Sequence, residues 1–98
     1  MSRLKLRWSL PALRHLDQIG AYIAQDNPDA ADRVVARIIT AVDNLRSLPA
    51  MGRIGRIKGT REYVFADIPY VVAYRVKPET IEIAAIFHAA KRWPQQLD

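Results

Sequence analysis

The sequence predicts a single α+β domain of order β-α-α-β-β-β, an antiparallel helical hairpin packed on one face of a small antiparallel sheet. Three observations predict it. Residues 3–8 alternate charged and apolar, residues 9–48 carry apolar residues at helical spacing with one sharp break, and residues 61–87 read as three extended runs joined by short turns.

The first strand spans residues 3–8, where Arg3, Lys5 and Arg7 alternate with Leu4, Leu6 and Trp8. That is the period of a half-buried strand, and it places Trp8 in the core with the two leucines. The helical hairpin spans residues 9–48. Ser9 offers a side-chain oxygen to the free N–H groups of a helix start, Pro11 sits in the first turn, and Leu13, Leu16, Ile19, Tyr22 and Ile23 recur down to Gln25. Asn27 and Pro28 then break and restart the chain, with Asp29 and Asp32 near the new N-terminus. The apolar stripe from Ala31 to Leu48 predicts a longer second helix that stops at Pro49. So short a connection makes the two helices antiparallel.

Beyond Pro49 the helical period is lost. Strands are predicted at Arg61 to Ala66, Tyr70 to Val76 and Thr80 to Phe87, a meander over residues 61–87 with turns at Asp67-Ile68-Pro69 and Lys77-Pro78-Glu79. The run YVVAYRV is apolar on both faces, as a central strand is. Residues 88–98 form a basic tail.

Ninety-eight residues allow one core, and the composition is that of an ordinary globular chain. With no cysteine there is neither a disulfide framework nor a thiolate metal site, and cytoplasm is the default compartment. The N-terminus interleaves cations with apolar residues, unlike a signal peptide, and no apolar run is long enough to span a membrane. Of the formal net charge of +5, residues 9–48 hold four arginines against five aspartates, −1, so the remainder carries +6. A patch of that size attracts nucleic acid, an acidic protein or an anionic surface.

Catalytic signals are few. His15 falls mid-helix and His88 ends the last strand; neither has further ligands at zinc spacing, so no metal and no cofactor are expected. Ser2, Ser9 and Ser47 lack a nucleophile-elbow setting. The glycines of GRIGRIKG lack the Gly-Lys-Ser/Thr and the strand-to-helix context of a phosphate loop. Cations are what remain. Metal-free RNA cleavage runs on cations that stabilise a phosphorane with a general acid and base, and Arg53, Arg56, Lys58, Arg61, Arg75, His88 and Lys91 are the groups available; the competing reading is a solvated basic edge.

Trp8-Ser9, Ile23-Ala24 with Asn27-Pro28 and Ala30-Ala31, Pro49, Gly52-Arg53, Gly59-Thr60-Arg61-Glu62, Pro69-Tyr70, Tyr74-Arg75-Val76 and His88-Ala89-Ala90-Lys91-Arg92-Trp93-Pro94, in this order and spacing, resemble the RelE/ParE superfamily of toxins from type II toxin–antitoxin modules. The resemblance covers nearly the whole chain. It implies one of two activities: RelE-like cleavage of messenger RNA in the ribosomal A site, or ParE-like poisoning of DNA gyrase without nuclease action. Glu62, Val64 and Val71 stand where RelE-like chains carry cations, and the Gly-Thr-Arg-Glu and His-x-x-Lys-Arg-Trp-Pro stretches are similar to ParE-like chains. The resemblance therefore implies a gyrase inhibitor with no catalytic residues, in which the helical hairpin and His88, Lys91, Arg92 and Trp93 are effector candidates. Its ribonuclease alternative would use Arg61, Arg75, His88 and Lys91.

It also implies a hetero-oligomeric complex with a cognate antitoxin that has a DNA-binding N-terminus and an acidic C-terminal segment, operator DNA being reached only through that antitoxin. Arg53, Arg56, Lys58 and Arg61 are the candidates for its ionic contacts, with Tyr63 and Phe65 as apolar anchors.

Overall fold

The structure is a computed structural model and describes residues 3–90. Its elements are β1 (Lys5–Trp8), α1 (Leu10–Ala24), α2 (Pro28–Leu45), a 3-10 turn (Pro49–Met51), β2 (Arg53–Ile54), β3 (Arg61–Val64), β4 (Tyr70–Val76) and β5 (Thr80–His88). One sheet holds all five strands in the order β1-β5-β4-β3-β2.

Both helix starts follow from their caps. Ser9 Oγ accepts from Ala12 N–H at 3.2 Å and Asn27 Oδ1 accepts from Ala30 N–H at 3.0 Å, each with proline in the first turn behind it. Where Gly20 of α1 meets Val35 of α2, an added Cβ would come within 3.3 Å of the valine, so the hairpin closes tightly there. The helices cover one face of the sheet: Ala12, Ile38, Val42 and Leu45 meet Val72, Tyr74, Ile81, Ile83 and Ile86 in the main core, with Leu4, Leu6 and Trp8 of β1 packed against it.

Four features depart from the sequence reading. The second helix ends at Leu45, three residues before Leu48, because Arg46 turns back to the first strand: its carbonyl accepts from Leu4 N–H at 3.1 Å and its Nε donates to Leu4 O at 2.7 Å. The sheet is not wholly antiparallel, since β1 pairs in parallel with β5, Lys5 opposite Thr80. A two-residue strand, β2, lies between Pro49 and Arg61, where no strand was predicted, and pairs with β3. Strand limits also shift: β1 begins at Lys5, β3 stops at Val64 and β5 runs on to His88.

The last strand is irregular at Ala84. A register shift between Ala73 and Tyr74 leaves it without a partner on β4. The carbonyl of Ala84 instead accepts from Ser9 Oγ at 3.2 Å, and Ile86 N–H donates to His15 Nδ1 at 3.1 Å. Helix α1 thus closes the edge of β5 beyond the end of β1. Burial lowers the pKa of His15, in keeping with a neutral ring that accepts at Nδ1.

Candidate partner-binding face

Residues opposite one another across paired strands share a face of the sheet. On the face away from the helices, Arg53, Glu62 and Ala73 form one row, and Arg75, Glu82 and Arg7 another. Ala73 and Ala85, continuing the first row, form a small apolar cluster with Val71 and Phe87 beyond it. Two carboxylates therefore sit on this face, each ringed by cations.

Glu62 is the better enclosed. Its side chain is 2% exposed and accepts from Arg53 Nη2 at 2.9 Å, Arg56 Nε at 3.2 Å and the Arg56 backbone N–H at 3.0 Å. Burial pushes its carboxyl up, but the Arg56 amide and the two guanidinium groups outweigh that and hold it below the ordinary carboxylate value. Arg56 also lies over the Phe87 ring, 5.6 Å from its centroid. Glu82 is approached more loosely, by Arg7 at 3.3 Å, Arg75 at 3.4 Å and Lys77 at 3.7 Å.

The chain between Pro49 and Thr60 is pinned from below by Tyr74, which is wholly buried. Its hydroxyl accepts from Gly52 N–H and donates to Pro49 O, both at 2.8 Å. Any Cβ at position 52 would lie 2.5 Å from that oxygen, so glycine is required by close approach. Gly59 is required by conformation, with φ at +83°. Four amides of this stretch are spent internally: Gly52 on Tyr74, Gly55 on Thr60 O, Arg56 on Glu62 and Thr60 on Ile57 O.

The candidates for partner contact are placed as follows. Arg53 and Arg56 are committed to Glu62, and Arg61 donates to Gly52 O at 2.8 Å. Lys58 is exposed at the tip of the loop. Phe65, expected as an apolar anchor, is a core residue only 5% exposed, beneath the Arg37 guanidinium; Tyr63 is half-buried with its ring edge-on to Phe65 at 4.9 Å. Strand parity explains the correction, because Tyr63 lies opposite Val72 and shares its helix-facing side, whereas Val64 lies opposite Val71 and points the other way. The exposed apolar residues flanking the basic loop are Ile54, at 74%, and Val64, which sequence reading missed; the alternation of Val64 with the two aromatic residues was the available signal. A shallow apolar groove between the helices, lined by Gly20, Ala24, Ala31, Val35 and Ile39, is a second such surface.

The ribonuclease candidates do not converge. Arg61 lies opposite Tyr74 on the helix-facing side, whereas Arg75 lies opposite Glu82 on the other. His88 is paired with Tyr70, five residues from Arg75 along β4, roughly 17 Å for an extended strand. Its ring stacks edge-on with Tyr70, and its Nδ1 accepts from Ala90 N–H at 3.1 Å. Lys91, Arg92 and Trp93 lie outside the described residues. Among the described residues, no three His, Asp or Glu side chains come together as a metal site, and no helix is long and apolar enough to cross a membrane.

Residues 6–93 match the family described as ParE toxin of type II toxin-antitoxin system, parDE. The putative toxin Y4kP of Sinorhizobium fredii is 61% identical over 97 residues, covering 99% of this chain and 100% of that protein. Toxin RelE2 of Caulobacter vibrioides is 39% identical over 84 residues, covering 86% and 93% respectively. Among solved structures, a chain of the chromosomal ParDE TA system from P. aeruginosa superposes with a TM-score of 0.78 at 27% identity, covering 88% of this chain and 96% of that one.

Proposed function

The chain belongs to the ParE toxin family, within the RelE/ParE superfamily of type II toxins, and on that premise we propose that it inhibits DNA gyrase by binding it and does no nuclease chemistry. The observation that carries this reading is the dispersal of its cations. A metal-free ribonuclease needs several cations and a proton-transfer pair converging on one phosphate. Here Arg61 and Arg75 occupy opposite faces, His88 stands a strand's length from Arg75, and the face that would meet RNA carries Glu62 and Glu82.

A cognate antitoxin neutralises the toxin. Its acidic segment meets Lys58 and the outer sides of Arg53 and Arg56, with Ile54 and Val64 as apolar neighbours, and a helix of the same antitoxin fits the groove beside Ile39. The helical hairpin and residues 88–93 remain the effector candidates toward gyrase.

The test is a supercoiling assay with purified gyrase and purified toxin. Loss of supercoiling, or accumulation of gyrase-cleaved DNA, that antitoxin reverses is the expected result. Gyrase that is unaffected at saturating toxin, together with site-specific cuts in messenger RNA on translating ribosomes, would replace this reading with the ribonuclease one that the name of the Caulobacter relative suggests.

A further inference from the structure

Cleaving a nucleic acid needs cations that converge on one phosphate, whereas holding its backbone needs cations spread at the spacing of the phosphates. The open face of the sheet carries such a spread around Glu82. Arg7 and Arg75 flank Glu82 from the two neighbouring strands, and one step along, Lys5 and Lys77 flank Thr80, Lys5 by strand register and Lys77 through an N–H donated to Thr80 O at 2.8 Å. Arg7, Arg75 and Lys77 reach Glu82 at 3.3, 3.4 and 3.7 Å, which places all three on the face away from the helices. Lys5, two residues from Arg7, shares that face by strand parity.

These four cations form two columns. Lys5 and Arg7 stand about 7 Å apart along β1, as Arg75 and Lys77 do at the end of β4, and successive phosphates of a nucleic-acid strand have a like separation. The columns are two strand spacings apart, about 10 Å, with β5 between them. An extended acidic peptide turns one row of carboxylates toward a given face and so meets one column. A duplex offers two rows of phosphates, and the minor groove of B-DNA, about 6 Å wide, fits within the span of the columns, whereas that of A-form RNA is wide and shallow. Lys5, Arg7 and Lys77 are exposed, and with Glu79 of the adjoining turn counted beside Glu82, four cations against two carboxylates leave +2.

We propose that Lys5, Arg7, Arg75 and Lys77 hold the phosphates of duplex DNA across one minor groove, and that this duplex is a segment held by gyrase. The inference rests on the gyrase reading above and gives the bound toxin a second point of contact beside the enzyme. Phosphate contacts position a protein without reading bases, so this contact has no sequence preference and differs from operator recognition. Glu82 orients both guanidinium groups from between the columns.

Fluorescence anisotropy of purified toxin with a labelled DNA duplex of about 20 base pairs, repeated across salt concentrations, tests this directly. Four phosphate contacts give a slope of about −3.6 for log affinity against log salt, roughly a hundredfold loss between about 50 and 200 mM. Lys5→Gln combined with Lys77→Gln should bring the slope to about −1.8 and the loss to roughly tenfold, while Lys5→Arg with Lys77→Arg should keep both at wild-type values, with thermal melts unchanged throughout. The glutamine variant should also need about tenfold more protein to inhibit supercoiling. Duplex binding that is absent at about 50 mM salt, or equal in wild type and glutamine variant, overturns the DNA inference, and gyrase inhibition by the wild type then leaves the proposed function standing. Tighter binding to an RNA duplex, or an antitoxin affinity that falls in the glutamine variant while DNA affinity does not, overturns it in favour of that partner. Wild-type toxin that binds the duplex but leaves gyrase unaffected overturns the gyrase reading and, with it, the assignment to gyrase-held DNA.

Discussion

Removing the cations around Glu62 should turn a stabilising group into a destabilising one. The carboxylate is 2% exposed and holds three hydrogen bonds, two from guanidinium groups and one from the Arg56 amide. Breaking a buried ion pair from one side costs about 3–5 kcal/mol when the remaining charge has no compensation. Arg53 and Arg56 are 59% and 49% exposed, so each pair is screened on its outer side. Discounted for that, Arg53→Ala alone should cost about 1 kcal/mol, because Arg56 still compensates the charge. Replacing both should cost about 3 kcal/mol, more than the sum, because both guanidinium partners are then gone while the carboxylate stays buried.

For a domain of this size each kcal/mol lowers Tm by roughly 4–8 °C, so calorimetry resolves the difference between single and double variants. The pH dependence gives an independent sign. In the native protein the carboxyl lies below its ordinary value, so its contribution is complete above the unfolded-state pKa and is lost as pH falls through the folded-state one. In the double variant burial, the largest influence on this carboxyl, is still opposed by the amide at position 56 but no longer by the two guanidinium groups, so the pKa rises and acidifying from neutral pH should destabilise that protein less through this site, or stabilise it. Additive single and double effects with an unchanged pH profile would refute the argument. The same geometry means that reversing Arg53 and Arg56 to glutamate, the natural probe of an acidic partner, reports folding before it reports binding.

Three further outcomes follow from other sites. His15 is held neutral by burial and accepts from Ile86 N–H, so stability should fall as pH drops from His15's unfolded-state pKa toward its lower folded-state one; His15→Phe should cost about 1–3 kcal/mol for the orphaned amide and remove that slope in a urea titration against pH. Gly52→Ala should lower Tm through the clash with the Tyr74 hydroxyl, and Tyr74→Phe should cost about 1–3 kcal/mol by leaving Gly52 N–H and Pro49 O unpaired; equal Tm values for wild type and both variants would show that the loop is not anchored there. Ser9→Ala removes both the cap of α1 and the donor to Ala84 O, and should cost about 1–2 kcal/mol in denaturant unfolding.

Much of this was legible in the linear order of residues, and the exceptions share a cause. The helix starts were legible because Ser9 with Pro11 and Asn27 with Pro28 act within four residues of themselves. The central strand was legible because YVVAYRV is apolar on both faces whatever lies beside it. Arg46 ended the second helix early for a reason 42 residues away, at Leu4. That Arg53 and Arg56 pair with Glu62 was not legible because a run of cations reads as a surface until the side chain opposite is known, and Glu62 stands opposite Arg53 only once β2 pairs with β3. Phe65 was read as an anchor for the same reason, since local alternation defines two faces without saying which of them the helices cover.

The sequence by itself determined the caps, the breaks, the order of elements, the uneven charge and the resemblance to a toxin family, all of which depend on neighbours in the chain or on composition. Tertiary structure alone decided which edge β1 joins and in which direction, which arginines are spent on Glu62 and Glu82, and which cations from the two ends of the chain stand on one face. Those are relations between residues tens of positions apart. Burial makes an unpaired charge or amide costly, so each such relation is settled only when the partner that relieves it has been brought into place.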